Sequence, residues 1–173
     1  MKHLKTCIAV SLDGFIATKD NELDWMPENV RKEISATYEQ PGIFLAGVNT
    51  YTYIFEHWGG WPYKSKKTFV ASHYDINVTE KENVTFLTDI PLRAINELKS
   101  SSETDIQVIG GGKFITSLIE ASLLDEITLY IVPVMLGDGI KFIGKTFGSK
   151  WELTRHRVID NQVVCLTYQY QEE

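Results

Sequence analysis

The sequence predicts an α/β chain: a mixed, mostly parallel sheet covered by helices on both faces and ending in an antiparallel hairpin. Three observations carry this. Through the first two-thirds, short β-branched runs alternate with segments of helical spacing, the pattern of strand–helix–strand units and parallel pairing. In the last third, three strand-like runs occur and no helix separates the final two. Two strands of the first part run directly into glycine turns that open helices, at Gly47 and at Gly110-Gly111-Gly112.

Residues 6–10 form a short apolar run rich in β-branched side chains and predict the first strand. Residues 28–40 lack glycine, and Val30, Ile34 and Tyr38 recur at a spacing of four, so an amphipathic helix is expected there. Pro27 suits its first turn, and Pro41-Gly42 stops it. Residues 43–46 predict a buried strand and 50–56 a short helix; 67–71 and 84–87 read as strands. Asp89-Ile90-Pro91 opens a helix to about Leu98, and Ser100-Ser101-Ser102 reads as a loop. Residues 106–109 are a buried strand, and 114–122 have helical spacing. Residues 125–132, 151–159 and 163–170 alternate as strands, with Asn161-Gln162 as the hairpin turn between the last two. No repeat or linker divides the chain, so one domain over residues 1–173 is expected.

A chain of 173 residues buries roughly 70% of its unfolded surface and needs no staple. A hydrophobic share of 43% and a charged share of 23% are globular values. The net charge of −6, without a basic run, argues against nucleic acid as a partner. Cys7 and Cys165 lie in apolar runs and read as buried thiols in a reducing compartment, hence a cytoplasmic location. The apolar run after Lys5 is too short for a signal peptide or a membrane span, so no membrane association is expected. The histidines show neither an HExxH pattern nor pairing with the cysteines, and no metal site is expected. The N-V-T triplets at Asn77 and Asn83 read as chance occurrences.

Candidate chemistry gathers at the strand ends. A buried strand that ends in three glycines and opens a helix leaves bare amides and a partial positive charge where an anion can approach. The competing reading is a tight turn that needs positive φ. The spacing fits neither the Rossmann fingerprint nor a Walker loop, since Ile115 falls where a third glycine would stand and Phe114 follows Lys113. Gly47-Val48-Asn49-Thr50 repeats the arrangement, with Thr50 able to cap the helix. Both turns would share the carboxyl edge of a parallel sheet, where ligands bind. Asp13-Gly14 reads as a turn or as a carboxylate beside that crevice, and Gly137-Asp138-Gly139 as a bulge or turn. Trp58-Gly59-Gly60-Trp61 reads as a flap, as surface packing or as a subunit contact.

In register, SLDGFIA (residues 11–17), LAGVNTY (45–51), KTFVAS (67–72), IQVIGGGKFITSLIEASLLDEI (106–127) and IVPVMLGDG (131–139) resemble the dihydrofolate-reductase-like proteins. The closer resemblance is to the C-terminal reductase domain of the bifunctional riboflavin-biosynthesis deaminase–reductase, in stand-alone form. It implies a three-layer α/β/α fold around a mixed, mostly parallel eight-stranded sheet, NADPH as hydride donor and a homodimer. By position it implies that Gly110, Gly111, Gly112, Lys113, Phe114 and Ile115 hold the diphosphate and flank the cofactor. Gly47 and Thr50 would contact its other phosphate region, Ser72 the adenosine end, and Ala9 and Ile16 the nicotinamide. Asp13 is implied as the group for substrate binding or proton delivery, with Trp25, Met26 and Asn29 lining the substrate side.

Three departures shape the expected function. Val48 stands where the family carries an arginine for the 2′-phosphate, so NADH is admitted beside NADPH. Asn29 stands where dihydrofolate reductases carry a pterin-gripping carboxylate, which disfavours folate. No deaminase domain precedes Met1, so the paired riboflavin step is not expected of this chain. The leading expectation is an NAD(P)H-dependent oxidoreductase resembling 5-amino-6-(5-phosphoribosylamino)uracil reductase or dihydrofolate reductase. It would pass hydride to a carbonyl or imine carbon of a small molecule, pyrimidine- or pterin-like. The alternatives are a dinucleotide-binding module without turnover and a purely structural dimer domain.

Overall fold

The computed structural model describes residues 2–74, 83–88, 91–145 and 148–172. Met1, the Asn77 triplet and Asp89-Ile90 of the third expected helix lie outside the described residues. The elements run β1 (Leu4–Ser11), β2 (Phe15–Ala17), α1 (Glu28–Glu39), β3 (Ile43–Gly47), α2 (Val48–His57), β4 (Lys67–Ala71) and β5 (Val84–Leu87). There follow α3 (Pro91–Ser101), β6 (Ile106–Ile109), α4 (Gly112–Glu120), β7 (Glu126–Val132), β8 (Ile140–Lys141), β9 (Lys150–Ile159) and β10 (Val163–Gln171).

Eight strands form one sheet in the order β5-β4-β3-β6-β1-β7-β10-β9. Pairing is parallel from β5 to β7 and antiparallel in β7-β10-β9, as expected. Side-chain alternation divides the core into layers. On one face, Leu45, Val108 and Leu4 meet Ile95 of α3 and Ile115, Leu118 and Ile119 of α4. On the other, Cys7, Ala9 and Tyr130 meet Val30 of α1, while Phe44, Ala46 and Val70 meet Tyr51 and Ile54 of α2. This is the three-layer α/β/α architecture.

Polar ties fix the layers. Lys99 of α3, almost fully buried, donates to Asp125 Oδ1 at 2.7 Å and to the Leu123 carbonyl at 3.1 Å. Asp125 Oδ2 accepts from the Leu4 amide at 2.7 Å, so one carboxylate joins α3, β1 and the start of β7. On the opposite face Arg157 of β9 grips Glu33 of α1 with two nitrogens, and Tyr130 Oη donates to the same carboxylate at 3.2 Å. The guanidinium holds Glu33 below the usual carboxylate range.

Several local expectations shift. Helix α2 begins at Val48 with Gly47 as its N-cap, so Thr50 lies inside the first turn and is not a cap. Serines 100 and 101 belong to α3, where their hydroxyls donate back to the Asn96 and Glu97 carbonyls four residues earlier. The hairpin turn centres one residue earlier than expected, on Asp160 and Asn161. Both have positive φ, 50° and 56°, and the Gln162 amide closes the turn on the Ile159 carbonyl at 3.0 Å. The short pair β2–β8 is additional to the expected strands.

Candidate functional site

Strands β3 and β6 are neighbours, yet α2 leaves β3 toward one face of the sheet and α4 leaves β6 toward the other. Adjacent strands whose connections diverge create a crevice at their carboxyl ends. Strand β1 deepens it. It pairs with β6 only from Leu4 to Thr6, whereas it pairs with β7 from Lys5 to Ser11. Beyond Thr6 the β6-facing backbone of β1 is therefore uncovered. A cavity of about 1480 Å³ occupies this edge, and Ile8 and Ala9 form part of its wall.

Most of the expected residues meet in this cavity. The two glycine turns contribute Gly47, Thr50, Gly110, Gly111, Gly112 and Lys113. Phe114 lies between them, Ser72 stands toward β4, and Ile16 and Met26 stand toward β1.

The three glycines serve close approach and not positive φ, since none of them has it. A methyl group on Gly47 or Gly110 would come within 2.9 or 3.0 Å of the Phe114 side chain, so that ring packs onto both turns. On Gly112 it would meet the Lys141 carbonyl oxygen at 2.0 Å. Gly111 has more room, with Thr50 Oγ1 at 3.3 Å from the same added atom. The Gly111 amide is already bonded, donating to Thr50 Oγ1 at 2.8 Å. The nest of three bare amides thus reduces to the Gly112 and Lys113 amides, which open α4 and have no intrahelical acceptor.

Four expected residues stand outside the cavity lining. Ile115 is fully buried under the sheet in the α4 core. Trp25 packs against the Val30 cluster. Asn29 donates to Asp160 Oδ2 at 2.5 Å, toward the hairpin turn. Asp13 is occupied by its own turn and by the loop that leads to β8. Its Oδ1 accepts from Ser11 Oγ at 2.7 Å and the Leu136 amide at 3.1 Å, and its Oδ2 from the Gly137 amide at 2.7 Å. These bonds, the Ser11 hydroxyl foremost, hold the carboxyl below its ordinary range. An ionised carboxylate whose oxygens are engaged has no proton to deliver near neutral pH.

A different element, the β2–β8 pair, forms a flap that places Ile16, Ala17 and Ile140 on the cavity. Lys19 pairs with Asp138 at 2.5 Å to close its outer end. The two tryptophans part company: Trp61 is buried and donates from Nε1 to Thr68 Oγ1 at 3.0 Å, while Trp58 is half-exposed and borders the cavity.

Sequence reasoning passed over the wall made by α1. Arg31 and Ser35 lie four residues apart beside the apolar stripe, and together with Ile34 and Tyr38 of that stripe they border the cavity. Arg31 Nε donates to the Met26 carbonyl at 3.1 Å, and a second guanidinium nitrogen binds the Leu23 carbonyl, which holds the 21–26 strap against the helix. Tyr38 Oη donates to the Cys7 carbonyl at 3.3 Å, and burial raises its pKa well above the usual phenol range. The polar pair was the available signal.

A doubly wound sheet with a mixed tail, a split between β6 and β1 and two glycine turns at one edge defines the dihydrofolate-reductase-like class. Within it the chain belongs to the RibD C-terminal domain family, whose model matches residues 61–165. It is 29% identical over 179 aligned positions to the Bacillus subtilis protein YyaP, covering 94% of this chain and 92% of the other. A Shewanella sp. PV-4 protein assigned to riboflavin biosynthesis matches with a TM-score of 0.84 and 26% identity, over 98% of this chain and 99% of that one. Two more distant structures share the fold. The Thermotoga maritima diaminohydroxyphosphoribosylaminopyrimidine deaminase/5-amino-6-(5-phosphoribosylamino)uracil reductase has a TM-score of 0.74 at 14% identity, over 98% of this chain and 57% of that one. Enterococcus faecalis dihydrofolate reductase complexed with NADP(H) has a TM-score of 0.72 at 19% identity, over 98% and 97%. Among the described residues no helix is long and apolar enough to cross a membrane, and no group of His, Cys, Asp or Glu could hold a metal.

Proposed function

We propose that this chain is a nicotinamide-dinucleotide-dependent reductase acting on a carbonyl or imine carbon of a small molecule. The observation that carries the reading is that two bare helix N-termini and the unpaired edge of β1 open into one cavity. The Gly112 and Lys113 amides, with the first amides of α2, bind the diphosphate. Because Thr50 Oγ1 accepts from Gly111, its own hydroxyl proton is free to donate to a phosphate oxygen. The free backbone of Ile8 and Ala9 can bond the carboxamide, and Ala9 and Ile16 flank the ring. When bound, the dinucleotide supplies the hydride.

The residues at the adenosine end admit both cofactors. Val48 offers the 2′-phosphate no guanidinium, and the Ser72 hydroxyl is spent on its own turn, donating to the Tyr74 carbonyl at 3.0 Å. NADPH and NADH therefore bind with comparable strength. Asp13 anchors the flap and takes no proton step. One domain, a homodimer and a cytoplasmic location complete the proposal.

Titration with NADPH and NADH, read by thermal shift and by quenching of tryptophan fluorescence, tests it. Micromolar binding of both is expected. Silence in both readouts at millimolar concentration would overturn the reading.

A further inference from the structure

We propose that two copies of this chain pair through the bare face of the β7-β10-β9 tail, and that His156, set inside that face, lets mild acid separate them. This rests on the homodimer of the reading above, to which it gives a surface and a control. The cofactor chemistry of the crevice is independent of it.

The tail has two unlike faces. On one, Tyr130 and Cys165 pack with α1, and Arg157 grips Glu33. On the other, Ile127, Leu129 and Trp151 still join the α3–α4 core. Ile131, Leu166 and Tyr168, on that same face by register, do not. The three layers therefore fall to two at this end of the sheet.

The pattern of β9 shows that the bare face is built for contact. Its register with β10, shifted once between Thr167 and Tyr168, sends Lys150, Glu152, Arg155 and Arg157 to the α1 side. Trp151, Leu153, His156 and Val158 go to the bare side. A solvated strand with one packed face carries its charges on the open side. Strand β9 does the reverse, and Val158 is 60%, Leu153 47% and Val164 of β10 36% exposed. With their neighbours these side chains present roughly 600 Å², at the upper limit for monomers and approaching the roughly 800 Å² per partner of a standard interface.

Charge selects a second copy as the occupant. At a net charge of −6, two copies repel through most of their surface. Among the described residues of its strands, this face holds no carboxylate, lysine or arginine. Such a face meets its own two-fold image without like-charge contact.

His156 is the group on this face whose type changes charge near neutral pH. It stands opposite Leu166, with Val164 and Tyr168 beside Leu166 on β10 and Val158 and Leu153 on its own strand. Arg155 and Arg157 project to the other side. The second copy brings the same face and so no carboxylate. Docking the protonated ring would bury a charge without a counter-ion, and only the neutral ring docks at little cost.

Sedimentation equilibrium tests both parts. At pH 8 the protein is expected to run at twice the chain mass. Val158→Glu, or Val164→Glu as a second variant, should give a monomer with unchanged far-ultraviolet dichroism. Arg155→Glu, on the α1 side of the same strand, should leave the dimer intact. From pH 8 to pH 6 the dissociation constant is expected to rise about tenfold, because a dimer carries two such histidines and a solvated histidine is mostly protonated at pH 6. The net negative charge shrinks over the same interval, which alone would tighten association, so the direction singles out the histidine. His156→Leu should hold the dimer equally at both pH values. A dimer indifferent to both glutamate variants would overturn the face and leave the homodimer standing. Equal affinity of the parent at pH 8 and pH 6 would overturn the role of His156. A monomeric parent would overturn the inference and the homodimer together, and leave nicotinamide binding, titrated separately, to decide the reductase reading.

Discussion

Gly112→Ala should cost far more stability than Gly111→Ala, although the two residues are neighbours in one glycine run. The added Gly112 methyl would lie 2.0 Å from the Lys141 carbonyl oxygen and 2.5 Å from the Phe142 carbonyl oxygen. Carbon–oxygen contact distances are well over 3 Å, so the 141–142 segment must retreat by roughly 1 Å. Such overpacking costs about 1–3 kcal/mol, more when backbone must move. Placing alanine in the first turn of α4 returns roughly 0.5–1 kcal/mol. Because two backbone carbonyls must move, the cost sits at or above the top of that range, and a net loss of about 2 kcal/mol or more follows for Gly112→Ala. For Gly111→Ala the nearest atom is Thr50 Oγ1 at 3.3 Å, a side-chain oxygen that can give slightly, and the loss should stay under about 1 kcal/mol. Urea denaturation followed by circular dichroism measures both, with the slope checked for constancy. A Gly112→Ala protein within about 0.5 kcal/mol of the parent would refute the assignment of that glycine to backbone approach.

Thr50→Val removes the acceptor of the Gly111 amide and the hydroxyl offered to a phosphate. Stability should fall by about 1 kcal/mol and the affinity for NADH and NADPH by about tenfold, read by urea melts and fluorescence titration. Val48→Arg should raise NADPH affinity over NADH by about tenfold or more, because a guanidinium then fronts the 2′-phosphate; unchanged ratios would place the adenine ribose elsewhere. Asp125→Ala strands the buried Lys99 ammonium and the Leu4 amide together, and should cost about 3–5 kcal/mol in the same melts. Burial pushes the Cys7 thiol up to about 12. Between the ordinary thiol range and that value the unfolded chain holds fewer protons than the folded one. Stability should therefore fall as pH rises there, and iodoacetamide at pH 8 should label Cys7 only after denaturant is added.

The sheet was legible because its signals are local. Strands 67–71, 84–87 and 106–109 agree residue for residue with β4, β5 and β6, since β-branched runs between breakers leave little choice. The flap was not legible: β2 is three residues and β8 two, and they exist only because Asp13, Lys19 and Gly139 bring distant loops together. The α1 wall of the cavity escaped for a related reason. Periodicity identifies the side of a helix that meets the sheet, but Arg31 and Ser35 face a crevice whose existence depends on where β1 and β6 separate.

The packing of Phe114 explains why glycine fills both turns. Its ring stands over the ends of β3 and β6 at once, against Gly47 and Gly110. A residue with Cβ at Gly47 or Gly110 would push the ring outward into the crevice. The N-termini of α2 and α4 would then no longer share one depth. The glycines therefore act one step before any ligand: they let one aromatic ring bring two helix N-termini to a common edge. Phe114→Ala accordingly should weaken NADH and NADPH binding alike, by tenfold or more, while urea melts report only the roughly 3 kcal/mol expected for a half-buried aromatic truncation. A cofactor affinity that merely tracked the stability loss of other core variants would sink this account of the ring.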